Sequence, residues 1–276
     1  MEQPSTNSAL KKLPRLKPRG GARVMLVAIR ALFLRELQTR FGQYRLGYFW
    51  ILIEPLFGIG LLMILFGAIM QRTLPNIPYV VFLLNGMVAF RMFRSGITQA
   101  LGVVQANKGL FSYRPVKPID ALIARNLLEL FLSFSAYIFF TAIFLWIGYE
   151  ISFEAIPTLL FYWLLLFIFM LSSSLIFMVI GDISKEINKF LSVIFFILYF
   201  LSAIIYPIAI VPAQYREYLL YNPLIHIFEP MRHAVAPTYP LVDGVSLTYV
   251  LTWIVFSLFI GLLLYKRFER RMMKSK

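Results

Sequence analysis

Long apolar stretches without charge recur along the chain, separated by short polar segments, the pattern of a chain folded against lipid. From Leu46 to Met70 the only charge is Glu54, with Pro55 beside it as a source of a kink. Thr73 to Phe90 is uncharged for 18 residues, after which Arg91 and Arg94 interrupt before a further uncharged run reaches Lys108. Later uncharged intervals separate Glu129 from Glu150 (20 residues), Glu154 from Asp182 (27), Lys189 from Arg216 (26) and Asp243 from Lys266 (22). A membrane-crossing helix needs roughly 20 apolar residues. The pattern therefore predicts an all-α integral membrane protein with six transmembrane helices, at about 46–70, 79–101, 119–148, 156–180, 190–206 and 247–267, forming one domain over 46–267. The fifth is ended near Tyr206 because Pro207 and Pro212 interrupt its run.

The flanks follow a different pattern. Residues 1–23 are polar, basic and without apolar period, and are expected to be a flexible cytoplasmic tail rather than a cleavable signal peptide. Over 24–45 a helix is expected from Val24 to Phe41. It is interrupted by Arg30, Arg35 and Arg40, has too short an uncharged run to cross, and suits the surface of an anionic leaflet. The segment 207–246 is long and apolar, with Leu219, Leu220, Leu224, Ile225, Ile227 and Phe228, and carries Tyr215, Tyr218 and Tyr221 at helical spacing. Short helices dipping back into the bilayer around a lumen fit it, because irregular backbone at that depth is tolerated only beside protein or water. Residues 268–276 form a short C-terminus.

Composition agrees with this picture: 60% of the 276 residues are hydrophobic, 14% are charged, and mean hydropathy is +0.76. Lys and Arg outnumber Asp and Glu by 27 to 13, an excess that in a soluble protein would suggest nucleic acid. Here topology accounts for it. An even number of spans puts both termini on one side. The tail to Arg45, the connections 102–118 and 181–189 and the C-terminus together hold 21 Lys and Arg, against 3 on the opposite connections. The positive-inside rule places the 21 in the cytoplasm. With no cysteine in the chain, disulfides, thiolate metal sites and thiol nucleophiles are excluded.

Motif chemistry narrows the function. There is no G-x-x-x-x-G-K-[ST] phosphate loop, so nucleotide hydrolysis by the usual cradle is not expected of this chain, and no Asp-x-Asp pair, G-x-S-x-G elbow or H-E-x-x-H metal site occurs. His226, Glu229 and His233 are too loosely spaced for a metal site, and none is expected. Glu54 and Glu129 lie in or at the edge of spans, where a carboxylate is costly and becomes a candidate contact for substrate, proton or ion-pair partner. The connection Asn107 to Asp120 mixes basic and aromatic residues with a Gly and two Pro. Its Leu110, Phe111 and Tyr113 could enter a partner's groove if exposed, or rest on lipid. Arg91 and Arg94 carry the heaviest cost, about 2.5 to 3.5 kcal/mol for each arginine at the centre of a span. At 100° per residue they share a stripe with Ser95, Thr98, Gly102 and Gln105, while Phe93, Ile97, Leu101 and Val104 point elsewhere. Either both arginines pair with Glu54 or Glu129, or snorkel to an interface, or the stripe lines a hydrated path in which guanidinium groups hold phosphate or carboxylate.

Arg40-Phe-Gly-Gln-Tyr-Arg-Leu-Gly-Tyr-Phe-Trp-Ile-Leu-Ile-Glu-Pro55 resembles the approach to the first helix in polysaccharide-export ABC transporter permeases, the likeness being carried by Leu46, Gly47, Trp50 and Pro55. Further matches are Lys108-Gly109-Leu110 to Pro115, Ser202 to Pro207, and Asn222-Pro223 through Pro230 to Arg232, so the resemblance covers nearly the whole chain. The short cytoplasmic ends are most similar to those of capsule exporters. The resemblance implies a homodimer in the bacterial inner membrane that exports a lipid-linked polysaccharide. It implies two separate ATPase subunits, which hold the ATP and Mg and dock on Lys108, Gly109, Leu110, Phe111, Tyr113, Arg114 and Pro115. In capsule systems it further implies a periplasmic co-polymerase and an outer-membrane adaptor. On this reading the substrate path takes in Glu54, Arg91, Arg94, Ser95 and Thr98 and, near the exit, Tyr215, Tyr218 and Tyr221. An O-antigen or teichoic-acid exporter would be a sibling. A membrane-embedded glycan polymerase or acyltransferase would need a catalytic carboxylate, for which Glu54 is the candidate, and an ion-coupled transporter would favour internal repeats, of which none is evident.

Overall fold

The computed structural model describes residues 20–41, 49–74, 76–111, 116–184 and 186–273, apart from the side chains of 41, 50–52, 54, 55 and 71–73. The expectations placed on 1–19, 42–48, Tyr113, Arg114, Pro115 and the Glu54 side chain lie outside the described residues. Ten α-helices follow one another and no strand occurs among the described residues: α1 Gly21–Phe41, α2 Trp50–Thr73, α3 Tyr79–Leu101, α4 Val103–Phe111, α5 Pro118–Ile147, α6 Ile156–Ile183, α7 Ile187–Leu201, α8 Ala213–Leu220, α9 Ile225–Val235 and α10 Leu247–Met273. A 3-10 turn, Ile208–Ile210, precedes α8.

Among the described residues four helices are long and apolar enough to cross a membrane: α3 (23 residues), α5 (30), α6 (28) and α10 (27). Six were expected. The described apolar part of α2 is shorter, Leu56–Met70, although the helix runs for 24 residues. Helix α7 has only 15 residues, and it stops at Leu201 rather than near Tyr206. The break has a local cause. Ser202 caps the helix through its N–H to the Leu198 carbonyl at 2.9 Å, and Ala203 then turns left-handed at φ 51°, a conformation that no continuing helix of L-residues adopts.

Helix α3 is the hub of the fold, buried along most of its length against α5, α6, α2, α7 and α9. Helix α6 runs between α3 and α10. Where lipid surrounds a bundle, apolar surface gives little drive for helices to meet, and small residues with polar side chains supply the contact. Both are present. A Cβ on Gly181 would lie 2.4 Å from the Leu101 carbonyl oxygen, so α6 meets the end of α3 backbone to backbone. The Ser172 and Ser257 hydroxyls meet at 2.8 Å between α6 and α10, and Tyr137 on α5 donates to Asn85 on α3 at 2.9 Å. Helix α5 opens with Pro118 at its first turn and with Asp120 accepting from the Lys117 N–H at 3.0 Å, and closes on Gly148 at φ 101°. The outward faces are apolar: Phe57, Ile64, Trp146, Phe196 and Phe259 are among the exposed large side chains.

Helix α1 lies against α5 and is fixed by charge. Glu36 accepts from Arg125 at 3.1 Å, Arg40 pairs with the buried carboxylate of Glu129, and Arg35 donates to Asn107 in the middle of α4. Two of the three arginines that break its apolar run, Arg35 and Arg40, thus help bind it to the bundle.

Candidate functional site

The α3 stripe faces a cavity of about 470 Å³. Arg91, Arg94, Ser95 and Thr98 all line it, with Gln99, Met87 and Phe90 from the same helix. Other elements complete the wall: Arg40 from the end of α1, Gly58 from α2 and Tyr199 from α7. Three arginines therefore surround one space inside a membrane bundle. Arg94 is exposed and Arg91 half-buried. The Thr98 hydroxyl is turned back onto the Arg94 carbonyl at 2.9 Å. Tyr199 packs edge-on to Phe90, with ring centroids 5.4 Å apart. Glu129, one of two carboxylates that could have neutralised the α3 arginines, pairs instead with Arg40.

Arg40, Gln99 and Tyr199 were not singled out from the sequence. Arg40 enters the sequence reading as an interruption of α1 and as the start of the segment that carries the resemblance, and nothing in its spacing from Arg91 tells that the two share a cavity. The stripe's further members separate from the site: Gln105 reaches Asp182 at 3.5 Å, and Gly102 is the turn between α3 and α4.

Of the residues expected to dock an ATPase, Lys108, Gly109, Leu110 and Phe111 form the last turn of α4. Phe111 is not the exposed anchor that its position in a connection suggested. It is 5% exposed, inside a cluster with Val104, Leu122 and Met178, because α4 packs against α5 and α6. Leu110 packs against the same cluster, Lys108 is half-buried and Gly109 faces outward.

Tyr215, Tyr218 and Tyr221 stand exposed on and just after α8, apart from the arginine cavity. Tyr218 and Tyr221 join Trp253 of α10 and Leu198 and Leu201 of α7 around a second, largely apolar cleft of about 400 Å³. Helix α9 is buried on nearly every side. Within it Arg232 and Glu229, both fully buried, pair at 2.6 Å. The same guanidinium donates to the Ala203 carbonyl at 2.8 Å and lies 3.7 Å over the Phe82 ring. Tyr239 donates to the other Glu229 oxygen at 3.1 Å, and burial, then the Glu229 charge, push its hydroxyl well above the usual tyrosine range. His226 accepts the Ser246 N–H at Nδ1 (2.9 Å) and so carries its proton on Nε2, toward the Leu220 carbonyl (2.7 Å). Burial holds this ring below the ordinary histidine pKa. His233 bonds the Tyr239 carbonyl.

A model of the ABC-2 type transporter family matches residues 27–236. The chain belongs to that family. Among its ABC-2 relatives the polysialic acid transport protein KpsM of Escherichia coli is 44% identical over 257 residues, which is 93% of this chain and 99% of the relative. The capsule polysaccharide export inner-membrane protein BexB of Haemophilus influenzae is 27% identical over 242 residues, 88% of this chain and 91% of its own. CtrC of Neisseria meningitidis serogroup A, of the same description, is 28% identical over 211 residues, 74% and 77% of the two chains.

Proposed function

We propose that this chain is the membrane-spanning permease of an ABC exporter that carries a lipid-linked, acidic capsular polysaccharide across the bacterial inner membrane. ATP is bound with Mg and hydrolysed on two separate ATPase subunits. The observation that carries the reading is the cavity that gathers Arg40, Arg91 and Arg94 between α1, α2, α3 and α7. Membrane insertion penalises each central arginine, and such residues mark substrate pathways. Planar guanidinium groups hold phosphate and carboxylate by paired hydrogen bonds, the groups that an acidic glycan and a phospholipid anchor would present. The likeness to KpsM, a polysialic acid transport protein, supports an acidic polymer as substrate, and that to BexB and CtrC supports a capsular one.

In this reading α2, α3, α5, α6, α7 and α10 are the six crossings and both termini lie in the cytoplasm. Helix α7 spans about 22 Å at 1.5 Å per residue, less than a hydrocarbon core of about 30 Å, so the turn after Leu201 completes its crossing. Helices α8 and α9 form the re-entrant periplasmic segment, and the burial of α9 inside the bundle supports this placement. Tyr215, Tyr218 and Tyr221 lie at the exit. Two copies assemble as a homodimer, α4 receives the ATPase, and a periplasmic co-polymerase with an outer-membrane adaptor continues the path.

The test replaces the α3 arginines. Arg91→Ala and Arg94→Ala, singly and together, are expected to reduce surface polymer sharply while permease level and ATPase association stay at wild type, with Lys at either position restoring part of the export. Wild-type export by the double Ala variant at normal protein level would refute the role. Loss of the protein from the membrane would assign the arginines to the fold instead.

A further inference from the structure

We infer that Arg232, with Glu229, is a positioning residue that sets the direction of α7 and so the shape of the arginine cavity. The inference rests on the reading of that cavity as the export path. It begins from how α7 is held. Of its 15 residues only Leu191 and Phe195 are buried, with Ile187, Leu198 and Tyr199 partly buried against the core, so packing along its length holds it on one side only. Its outer end is different. After the break at Ala203 three successive carbonyls are taken by side chains of other elements: Ala203 (2.8 Å) and Ile204 (3.4 Å) accept from Arg232 of α9, and Ile205 accepts from Tyr79 of α3 at 3.0 Å.

These carbonyls have no helical partner beyond them, and in a water-poor interior they hold their place only while those donors do. The guanidinium is itself held through both of its terminal nitrogens. Glu229 neutralises it, Phe82 lies beneath it, and Gly86 leaves the room it needs, since a Cβ there would sit 2.8 Å from its Nη2. A buried ion pair contributes little net stability relative to an apolar substitute, whereas its directional bonds admit one arrangement. That arrangement fixes the origin of α7, from which Phe195 and Tyr199 extend against Phe90 at ring distances of 6.2 and 5.4 Å. Tyr199 and Phe90 are cavity walls. Lysine in place of Arg232 would keep the charge balance with Glu229 but could not span both carbonyls and the ring face.

The test uses the complete transporter in membranes, with Arg232→Lys and, separately, Tyr79→Phe. Surface polymer is measured in the cysteine-free chain. The placement of α7 is read from the rate at which Phe93→Cys and Phe195→Cys, whose parent rings lie 6.4 Å apart, form a disulfide under mild oxidation. Both variants are expected to lower export several-fold and to slow the disulfide several-fold at unchanged protein level. Wild-type values of both would overturn the inference. So would a fall in export with an unchanged disulfide rate, which would mean that the hub acts by another route. A changed disulfide rate with full export would uphold the positioning role and remove instead the reading of the cavity as the export path. If Arg232→Lys is lost from the membrane, Gly86→Ala, whose Cβ would sit 2.8 Å from the guanidinium and displace it, decides by the same criteria.

Discussion

At the scale of single residues, the same side-chain type means different things at neighbouring positions, and burial decides between them. Gly109 and Phe111 sit on one turn of α4, yet a Cβ on Gly109 meets nothing within 4 Å whereas Phe111 is in the core. Gly109→Trp is therefore expected to leave the permease at its normal level and to weaken copurification of the ATPase. Phe111→Asp should instead cost several kcal/mol by burying an unpaired charge, removing the protein itself. Immunoblots of membranes with and without pull-down of the ATPase separate the two, and equal ATPase capture by Gly109→Trp would move the docking site elsewhere. His226 gives a pH dependence with a definite sign. Its folded pKa is depressed, so below the ordinary value of about 6.5 the unfolded chain binds more protons. Stability is then complete above that pH and falls as the pH drops through it, because protonation sets a second N–H against the Ser246 N–H. Thermal unfolding in detergent should show a lower Tm at pH 5.5 than at 7.5, and His226→Gln, which can accept and donate at once, should flatten the difference. An undiminished drop in that variant would place its source elsewhere.

At the scale of elements, period and charge made most of the helices legible, and what ended them was harder to read. The expected span 79–101 coincides with α3, and the polar stripe of Arg91, Arg94, Ser95 and Thr98 does face a cavity, because a 100° step is a property of the backbone alone. The end of α7 was misplaced because the prolines at 207 and 212 are strong signals whereas an alanine turning left-handed at 203 has none. Arg232 and Glu229 stood in plain sight at i, i+3 spacing. The sequence shows Arg232 only as a charge of an outer connection and Glu229 only beside His226 and His233, because burial of a short helix is conferred by α3 and α6 and leaves no mark in its own sequence. Close helix contacts are similarly silent until paired. Gly181→Ala drives a Cβ to 2.4 Å from one backbone oxygen and 2.6 Å from the neighbouring Cα of Leu101, so neither side can yield without moving α3 against α6. A loss of about 1 to 3 kcal/mol is expected, read as a lower Tm than that of Gly60→Ala, where a Cβ meets nothing within 4 Å. Equal Tm values would deny the tight crossing.

For the molecule as a whole, the charge asymmetry is sharper in three dimensions than in the sequence. Of the three basic residues assigned to the outer side, Arg232 is sealed inside α9's network, and Arg216 folds back to donate to the Val211 and Ala209 carbonyls at 2.7 and 2.6 Å. Neither offers its charge to an anionic headgroup, and outward-facing Glu150, Glu154 and Glu217 share that end of the bundle. At the other end Arg267, Arg270 and Arg271 close α10, and Lys117 stands beside Glu269 at 3.5 Å. An electrostatic gradient of this kind has one favourable orientation across a membrane whose cytoplasmic leaflet is negative. Because the chain has no cysteine, the orientation can be tested one site at a time. Gly20→Cys and Arg270→Cys should resist an impermeant maleimide in intact cells and react once the membrane is opened. Glu150→Cys and Glu217→Cys should react in both conditions after the outer membrane alone is permeabilised. Labelling of either terminal site in intact cells would reverse the molecule in the bilayer. It would also put α4 on the side where no ATP is found, so the proposed drive by a cytoplasmic ATPase would fall with it.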